Sequence, residues 1–294
     1  MIFRGAATAL VTPFKSNGDV DYQAFEEIID YQLENSIDAL VVAATTGEAP
    51  VLSSEEKAKL IEIALDKAAG KVPVIAGTGS NITAKAIDQS KEAARLGVDG
   101  LLVVTPYYNK ATKDGLVQHY KLIAQAVDLP IILYTVPART GVNIPLEAIE
   151  ELAKIENIQG LKDATGNMAY TAHVRRIVPD DFAIYCGDDD LIVQTLSIGG
   201  DGVISVASNV LPQMTHDMCY DFFNGQAFKA GKSQVKLMSF MKNLFIETSP
   251  APVKSALDLI GLPGGELRLP LTRCSDQTTE LLRKDLIELG VIND

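Results

Sequence analysis

The sequence predicts an α/β fold, a (β/α)8 barrel followed by a C-terminal helical domain, on three observations. Short runs rich in Val, Ile and Leu alternate with amphipathic helical patterns along the first two thirds of the chain. The runs are apolar at successive positions, as strands buried on both faces are. Beyond residue 210 the strand signals stop and only helical patterns continue.

Taken in order, GAATALVTPF (5–14) precedes a helix over 21–35, and DALVVAAT (38–45) precedes one over 53–69. VPVIAGTG (72–79) leads to a helix over 82–96, and GLLVVTPY (100–107) to one over about 112–127. PIILYTVP (130–137), IQGLKDAT (158–165), FAIYCGD (182–188) and GVISVAS (202–208) continue the series. Eight such βα units match the barrel, since a doubly wound sheet would carry GxGxxG after its first strand and this chain does not. SIDALVV, GVDGLLV and GGDGVIS each set an Asp one residue before a strand, an echo of one module reused. The helical patterns after 210 exceed what a barrel needs, which divides the chain into a barrel (1–224) and a helical domain (225–294). The stripe of Phe222, Phe228, Leu237, Met238, Met241 and Phe245 reads as core, with an oligomer interface as the second reading.

Composition narrows the function classes. At 47% hydrophobic the 294-residue chain can bury a large core, and its formal charge of -12 disfavours nucleic acid or an anionic membrane as partner. Cys186, Cys219 and Cys274 are odd in number and unclustered, so a reducing cytoplasm is expected and a disulfide frame is not. His119, His173 and His216 are scattered without ligand spacing, so no metal site is expected. No apolar run is long enough to span a bilayer, and MIFRGAATALVTPF reads as a first strand ended by Pro13, not as a signal peptide.

In a barrel the reactive groups belong at the carboxyl ends of strands. Four ends stand out: ATTGE (44–48), TPYYN (105–109), YTVPART (134–140) and LKDATGN (161–167). Lys162 sits in the middle of a short strand whose Ile158, Gly160, Leu161 and Ala164 read as buried. A buried ammonium must be paired or give up its proton, and the neutral amine is a nucleophile toward carbonyls. Asp163 is the obvious ion-pair partner, but adjacent strand residues face opposite sides. Thr45, Thr46 and Gly47 offer hydroxyls and closely spaced N–H groups as a cradle for a small carboxylate. Tyr134 ends the fifth strand and can relay a proton or simply bond to backbone. Arg139 lies in the following loop with a fork suited to carboxylates, and Tyr107 and Tyr108 form an aromatic pair in another loop. Together they suit a carbonyl site with anion donors, and nothing resembles a phosphate loop or a Ser–His–Asp set.

TTGE, GTGSN, TPYYN, YTVPARTG, GLKDATGN, GDD and GVISV, in that order, make the chain resemble the pyruvate-dependent class I aldolases of the dihydrodipicolinate synthase and N-acetylneuraminate lyase family. The resemblance implies the barrel with its helical domain, a homotetramer or dimer, and catalysis without metal or organic cofactor. It implies Lys162 as the Schiff-base lysine, Tyr134 as the proton-relay tyrosine and Thr46 as the threonine linking the relay. Tyr108 matches the tyrosine that completes a neighbouring subunit's site, Thr45 a binder of the pyruvate carboxylate, and Gly187 and Ile204 line the site through backbone. PARTG, with Arg139, matches the branch that binds aspartate-semialdehyde, so the implied reaction condenses pyruvate with L-aspartate-4-semialdehyde in lysine and diaminopimelate biosynthesis. Alternatives are lyases of 2-keto-3-deoxy sugar acids or N-acetylneuraminate, and a non-catalytic carboxylate-binding barrel. Ala44, Thr135 and Asp163 depart from the usual Gly, Asn and Glu of the family. Lysine-inhibited bacterial members carry His or similar groups and a Glu at the positions of Ser54, Lys57 and Lys85. Asn81 and Tyr107 match, but a cation at Lys85 opposes an inhibitor's ammonium, so insensitivity to lysine is expected.

Overall fold

The structure, a computed structural model, describes residues 1–293. Eight parallel strands close into one barrel in chain order: β1 (Gly5–Ala9), β2 (Ala39–Val42), β3 (Val74–Gly77), β4 (Gly100–Val104), β5 (Ile131–Thr135), β6 (Ile158–Asp163), β7 (Ala183–Cys186) and β8 (Gly202–Ser205). The ring is completed by β8 pairing with β1, Ile204 against Ala7. Around it run α1 (Tyr22–Glu34), α2 (Ser54–Ala68), α3 (Thr83–Leu96), α4 (Lys113–Ala124), α5 (Pro137–Thr140), α6 (Leu146–Leu152), α7 (Met168–Ile177), α8 (Ile192–Ser197) and α9 (Pro212–Phe223). Then follow α10 (Ala227–Asn243), α11 (Ala251–Leu259) and α12 (Asp276–Glu288). We propose that the division between barrel and helical domain falls at 224/225, where Gly225 turns the chain with a φ of +79°.

Every observed strand is shorter than its apolar run. In the first run the paired strand ends at Ala9 and Leu10 to Phe14 continue, still buried, over the carboxyl rim. The loops at that rim are apolar because they cap a packed interior. Two layers result. Leu40, Val42, Leu101, Val103 and Leu133 face the helices, while Ala7, Val41, Ile75, Leu102, Ile132, Tyr185 and Ile204 fill the barrel. Tyr185 is a fully buried plug, stacked on Phe3 at 4.2 Å and donating to Phe3 O at 2.8 Å.

The three Asp echoes share one geometry. Asp38 donates its N–H to Ala6 O while its Oδ2 accepts from Ala6 N at 2.7 Å. Asp99 does the same with Val74, and Asp201 with Ile184. A strand's amino end otherwise exposes an unpaired N–H, and the carboxylate satisfies it. The module therefore repeats because this end condition recurs at β1, β3 and β7.

Two expectations need correction. PART does not remain a loop: Pro137 opens the one-turn helix α5, its fixed φ suiting a first helical position. The Met- and Phe-rich stripe is not all core. Leu237, Phe240 and Met241 are buried, but Phe228 and Phe245 are 79% and 47% exposed and Met238 is also exposed. Residues 228, 235 and 238 follow one face of α10 and 237, 240 and 241 another, while Phe245 lies just past the helix, so the stripe divides between two faces.

Candidate active site

At the carboxyl end of the barrel lies a cavity of about 280 Å³. Its wall includes Ala44, Thr45, Gly79, Ser80, Leu102, Val104, Tyr107, Tyr134, Val136 and Arg139. Lys162 is 4% exposed and lies behind Tyr134, its Nζ 4.4 Å from that ring's centroid. Strand pairing explains the meeting. Tyr134 sits opposite Lys162 in the β5–β6 ladder and Lys162 opposite Tyr185 in the β6–β7 ladder, so all three point into the barrel. The Lys162 amine makes no ion pair or hydrogen bond among the described residues. Asp163 faces the other way, accepting from Thr171 Oγ1 at 2.6 Å and from Thr165 N at 3.0 Å.

The TTGE segment leaves β2 as a tight turn. Glu48 N donates to Thr45 O and Ala49 N to Ala44 O, while the N–H groups of Thr45, Thr46 and Gly47 meet no acceptor among the described residues. Three such free donors beside a cavity form an anion cradle. Thr12 Oγ1 fixes the turn by donating to Gly47 O at 2.8 Å, and a Cβ on Gly47 would press on Leu10 O at 3.0 Å. Thr46 is 4% exposed and has no hydrogen bond to Tyr134 among the described residues. The geometry therefore brings Lys162, Tyr134, Thr45 and Arg139 to one place, whereas the relay from Tyr134 to Thr46 is not closed by a bond.

Gly187 and Ile204 do not line the cavity: Ile204 is buried in the barrel and Gly187 is half-buried. Gly187 N donates to Asp163 O at 2.7 Å, and a Cβ there would sit 2.6 Å from that of Ala164. Tyr108, next to the cavity-lining Tyr107, does not line the cavity itself; it is 92% exposed, with a φ of +72° that is an outlier for a bulky side chain. Arg139 closes the far side of the cavity and donates from Nη2 to Ser249 O at 3.1 Å.

Other groups at the site went unread in the sequence. Asp188 accepts from Gly166 N at 3.0 Å, and burial pushes its carboxyl up to about 6 against the pull of that bond. Buried Asp189 accepts from Val206 N and Ala207 N, tying the end of β8 to β7. Glu48 pairs with Lys254 at 2.6 Å, each side chain 1% exposed. An acidic run after the seventh strand was visible, but its inward direction was not; the Lys254 partner lies too far along the chain to be guessed.

A model of the dihydrodipicolinate synthetase family matches residues 2–289. The chain belongs to that family. It is 48% identical over 290 residues to a 4-hydroxy-tetrahydrodipicolinate synthase of Caldicellulosiruptor saccharolyticus, covering 99% of this chain and 98% of that one. The crystal structure of the dihydrodipicolinate synthase of Thermotoga maritima superposes with a TM-score of 0.97 at 45% identity, covering 99% of this chain and 100% of the other. A dihydrodipicolinate synthase of Cyanidioschyzon merolae, solved with lysine bound, gives a TM-score of 0.96 at 42% identity, covering 99% of both chains. As a member of the dihydrodipicolinate synthetase family the chain keeps both the barrel and the C-terminal helices.

Proposed function

We propose that this chain is a lyase condensing pyruvate with L-aspartate-4-semialdehyde to 4-hydroxy-tetrahydrodipicolinate, in lysine and diaminopimelate biosynthesis. The observation that carries the reading is Lys162, an amine without a carboxylate partner, pointing into an apolar barrel beside a cavity with anion donors. The amine attacks the ketone carbon of pyruvate, and loss of water leaves an imine. A methyl proton then leaves to give the enamine, moving through Tyr134, Thr46 and Tyr108 of the partner subunit. Thr45 and the free N–H groups of the turn hold the pyruvate carboxylate, with Gly187 and Ile204 bordering the site through backbone. The enamine carbon attacks the aldehyde carbon of the semialdehyde, whose carboxylate Arg139 binds. The semialdehyde's amino group then displaces Lys162 from the imine carbon, closing the ring and freeing the lysine. The protonated imine serves as electron sink, so the scheme calls on no metal or organic cofactor. The reading includes a cytoplasmic homo-oligomer, a dimer or a dimer of dimers; Tyr108, 92% exposed in its own subunit, is free to reach a partner's site. No helix among the described residues is long and apolar enough to cross a membrane.

Reduction with borohydride in the presence of pyruvate should attach the three-carbon unit to Lys162, read by peptide mass. Lys162→Ala should lose both the adduct and turnover. Normal turnover in that variant would sink the scheme. A panel containing N-acetylneuraminate and 2-keto-3-deoxy sugar acids separates it from the sugar-acid lyases.

A further inference from the structure

Arg139 sits in the four-residue helix α5, and a single helical turn is too short to hold its own shape. Inside it, Arg139 N and Thr140 N donate to Val136 O and Gly141 N to Pro137 O. Side-chain hydroxyls fasten it from outside. Thr140, 5% exposed, has Oγ1 at 3.2 Å from Val136 O and 3.0 Å from Val142 O, donating to one or the other. The same oxygen accepts from Val142 N at 3.3 Å. Further on, buried Ile144 donates its N–H to Thr135 Oγ1 at 3.4 Å and accepts the Tyr170 hydroxyl on its carbonyl at 2.6 Å. Thr135 ends the strand of Tyr134, and Tyr170 belongs to α7, the helix that follows the strand of Lys162. The segment 136–144 is therefore tied to the two units that bring Tyr134 and Lys162 together. Burial, and next the Asp163 charge, raise the Tyr170 phenol above its usual range, so its hydroxyl stays protonated at neutral pH and keeps donating.

We propose that Thr140 and Tyr170 are positioning residues for the second substrate, fixing the distance from the Arg139 fork to the Lys162 amine. The proposal rests on the reading that Arg139 binds the semialdehyde's carboxylate. In that substrate a short chain of fixed length joins the attacked aldehyde carbon to the carboxylate. The spacing of amine and fork therefore decides whether both ends are served at once. A misplacement of about 1 Å costs on the order of a hundredfold in rate. The Ser249 carbonyl holds one end of the guanidinium, and the hydroxyls hold the backbone from which it reaches. Thr140 borders the cavity, but Tyr170 does not line it, so a change at Tyr170 reaches the substrate only through the segment.

Kinetics of the whole enzyme toward each substrate separately test the proposal. Thr140→Val and Tyr170→Phe should each lower kcat/KM for the semialdehyde by about tenfold, mainly through KM. Both should leave kcat/KM for pyruvate and the borohydride adduct on Lys162 unchanged. Thr140→Ser, which keeps the hydroxyl, should stay within about twofold of wild type. Added to Arg139→Ala, neither change should lower semialdehyde use further, because effects that pass through one residue do not add. Melting temperatures show which variants are folded. Tyr170→Phe, which removes one hydroxyl from a half-buried side chain, carries the test if Thr140→Val does not fold. An unchanged semialdehyde kcat/KM in Tyr170→Phe, or full additive losses on top of Arg139→Ala, would overturn the proposal. So would equal losses for both substrates, the mark of general loosening. Wild-type kinetics in Arg139→Ala would instead remove the reading beneath the proposal, a result distinct from failure of the two hydroxyls.

Discussion

Lys162 was legible because a strand is the wrong place for an unpaired ammonium, and the alternation of strand side chains already removed Asp163 as its partner. The structure agrees: Asp163 bonds Thr171 and Thr165 on the outer side of β6. Arg139 was legible from its Pro- and Gly-bounded segment, but its tether to Ser249 was not, because the two residues are 110 apart in the chain. At this scale Arg139 is the test of the aldehyde's identity. In Arg139→Ala, borohydride trapping with pyruvate should be unchanged, since Lys162 and the TTGE turn are untouched. Use of the semialdehyde should fall by about 2–3 kcal/mol in kcat/KM, the ordinary worth of a charge-assisted hydrogen bond pair. Steady-state kinetics with each substrate varied in turn checks it. An unchanged kcat/KM for the semialdehyde would remove Arg139 from the substrate's surroundings.

Among the elements, the barrel strands and their order could be read from the apolar runs, and the Asp echoes marked real joints. What could not be read was that α11 braces the active face. Lys254 on α11 reaches back to Glu48, whose φ of +55° ends the TTGE turn, and also donates to Glu266 O at 2.7 Å. Burial pulls the Lys254 ammonium below the usual lysine range while the Glu48 carboxylate opposes the drop. Just before α11, Ser249 holds Arg139. One segment of the helical domain thus fixes two loops of the site. Removing one member of such a pair leaves a charge buried and unpaired, so Lys254→Met should cost about 3–5 kcal/mol of stability. Restoring apolar neutrality with Glu48→Leu in the same chain should recover much of the melting temperature. It should not recover turnover, because the turn that presents Thr45 and Thr46 has lost its anchor. Thermal melts and kcat measured on the two variants check both halves. Full activity in the double variant would reduce the pair to a stabilising role alone.

At the scale of the whole molecule, one residue of the proposed site lies on the surface of its own subunit. Tyr108 stands 92% exposed with a left-handed backbone, a strain of about 1–3 kcal/mol. The sequence offered an aromatic pair in a loop, and nothing in a single chain says which subunit such a loop serves. Complementation decides it. Tyr108→Phe alone should slow turnover by at least tenfold if the hydroxyl relays a proton, the usual lower range of such catalysis being about a hundredfold. Lys162→Ala alone should be inactive. Mixed, unfolded and refolded together, the two variants should regain activity. In a heterodimer the Tyr108→Phe subunit keeps its Lys162 and receives an intact Tyr108 from the other subunit. With random pairing about one quarter of sites are then complete, so activity should approach a quarter of wild type. A mixture no more active than its parts would return Tyr108 to its own subunit's surface and leave Tyr134 and Thr46 to move the proton without it.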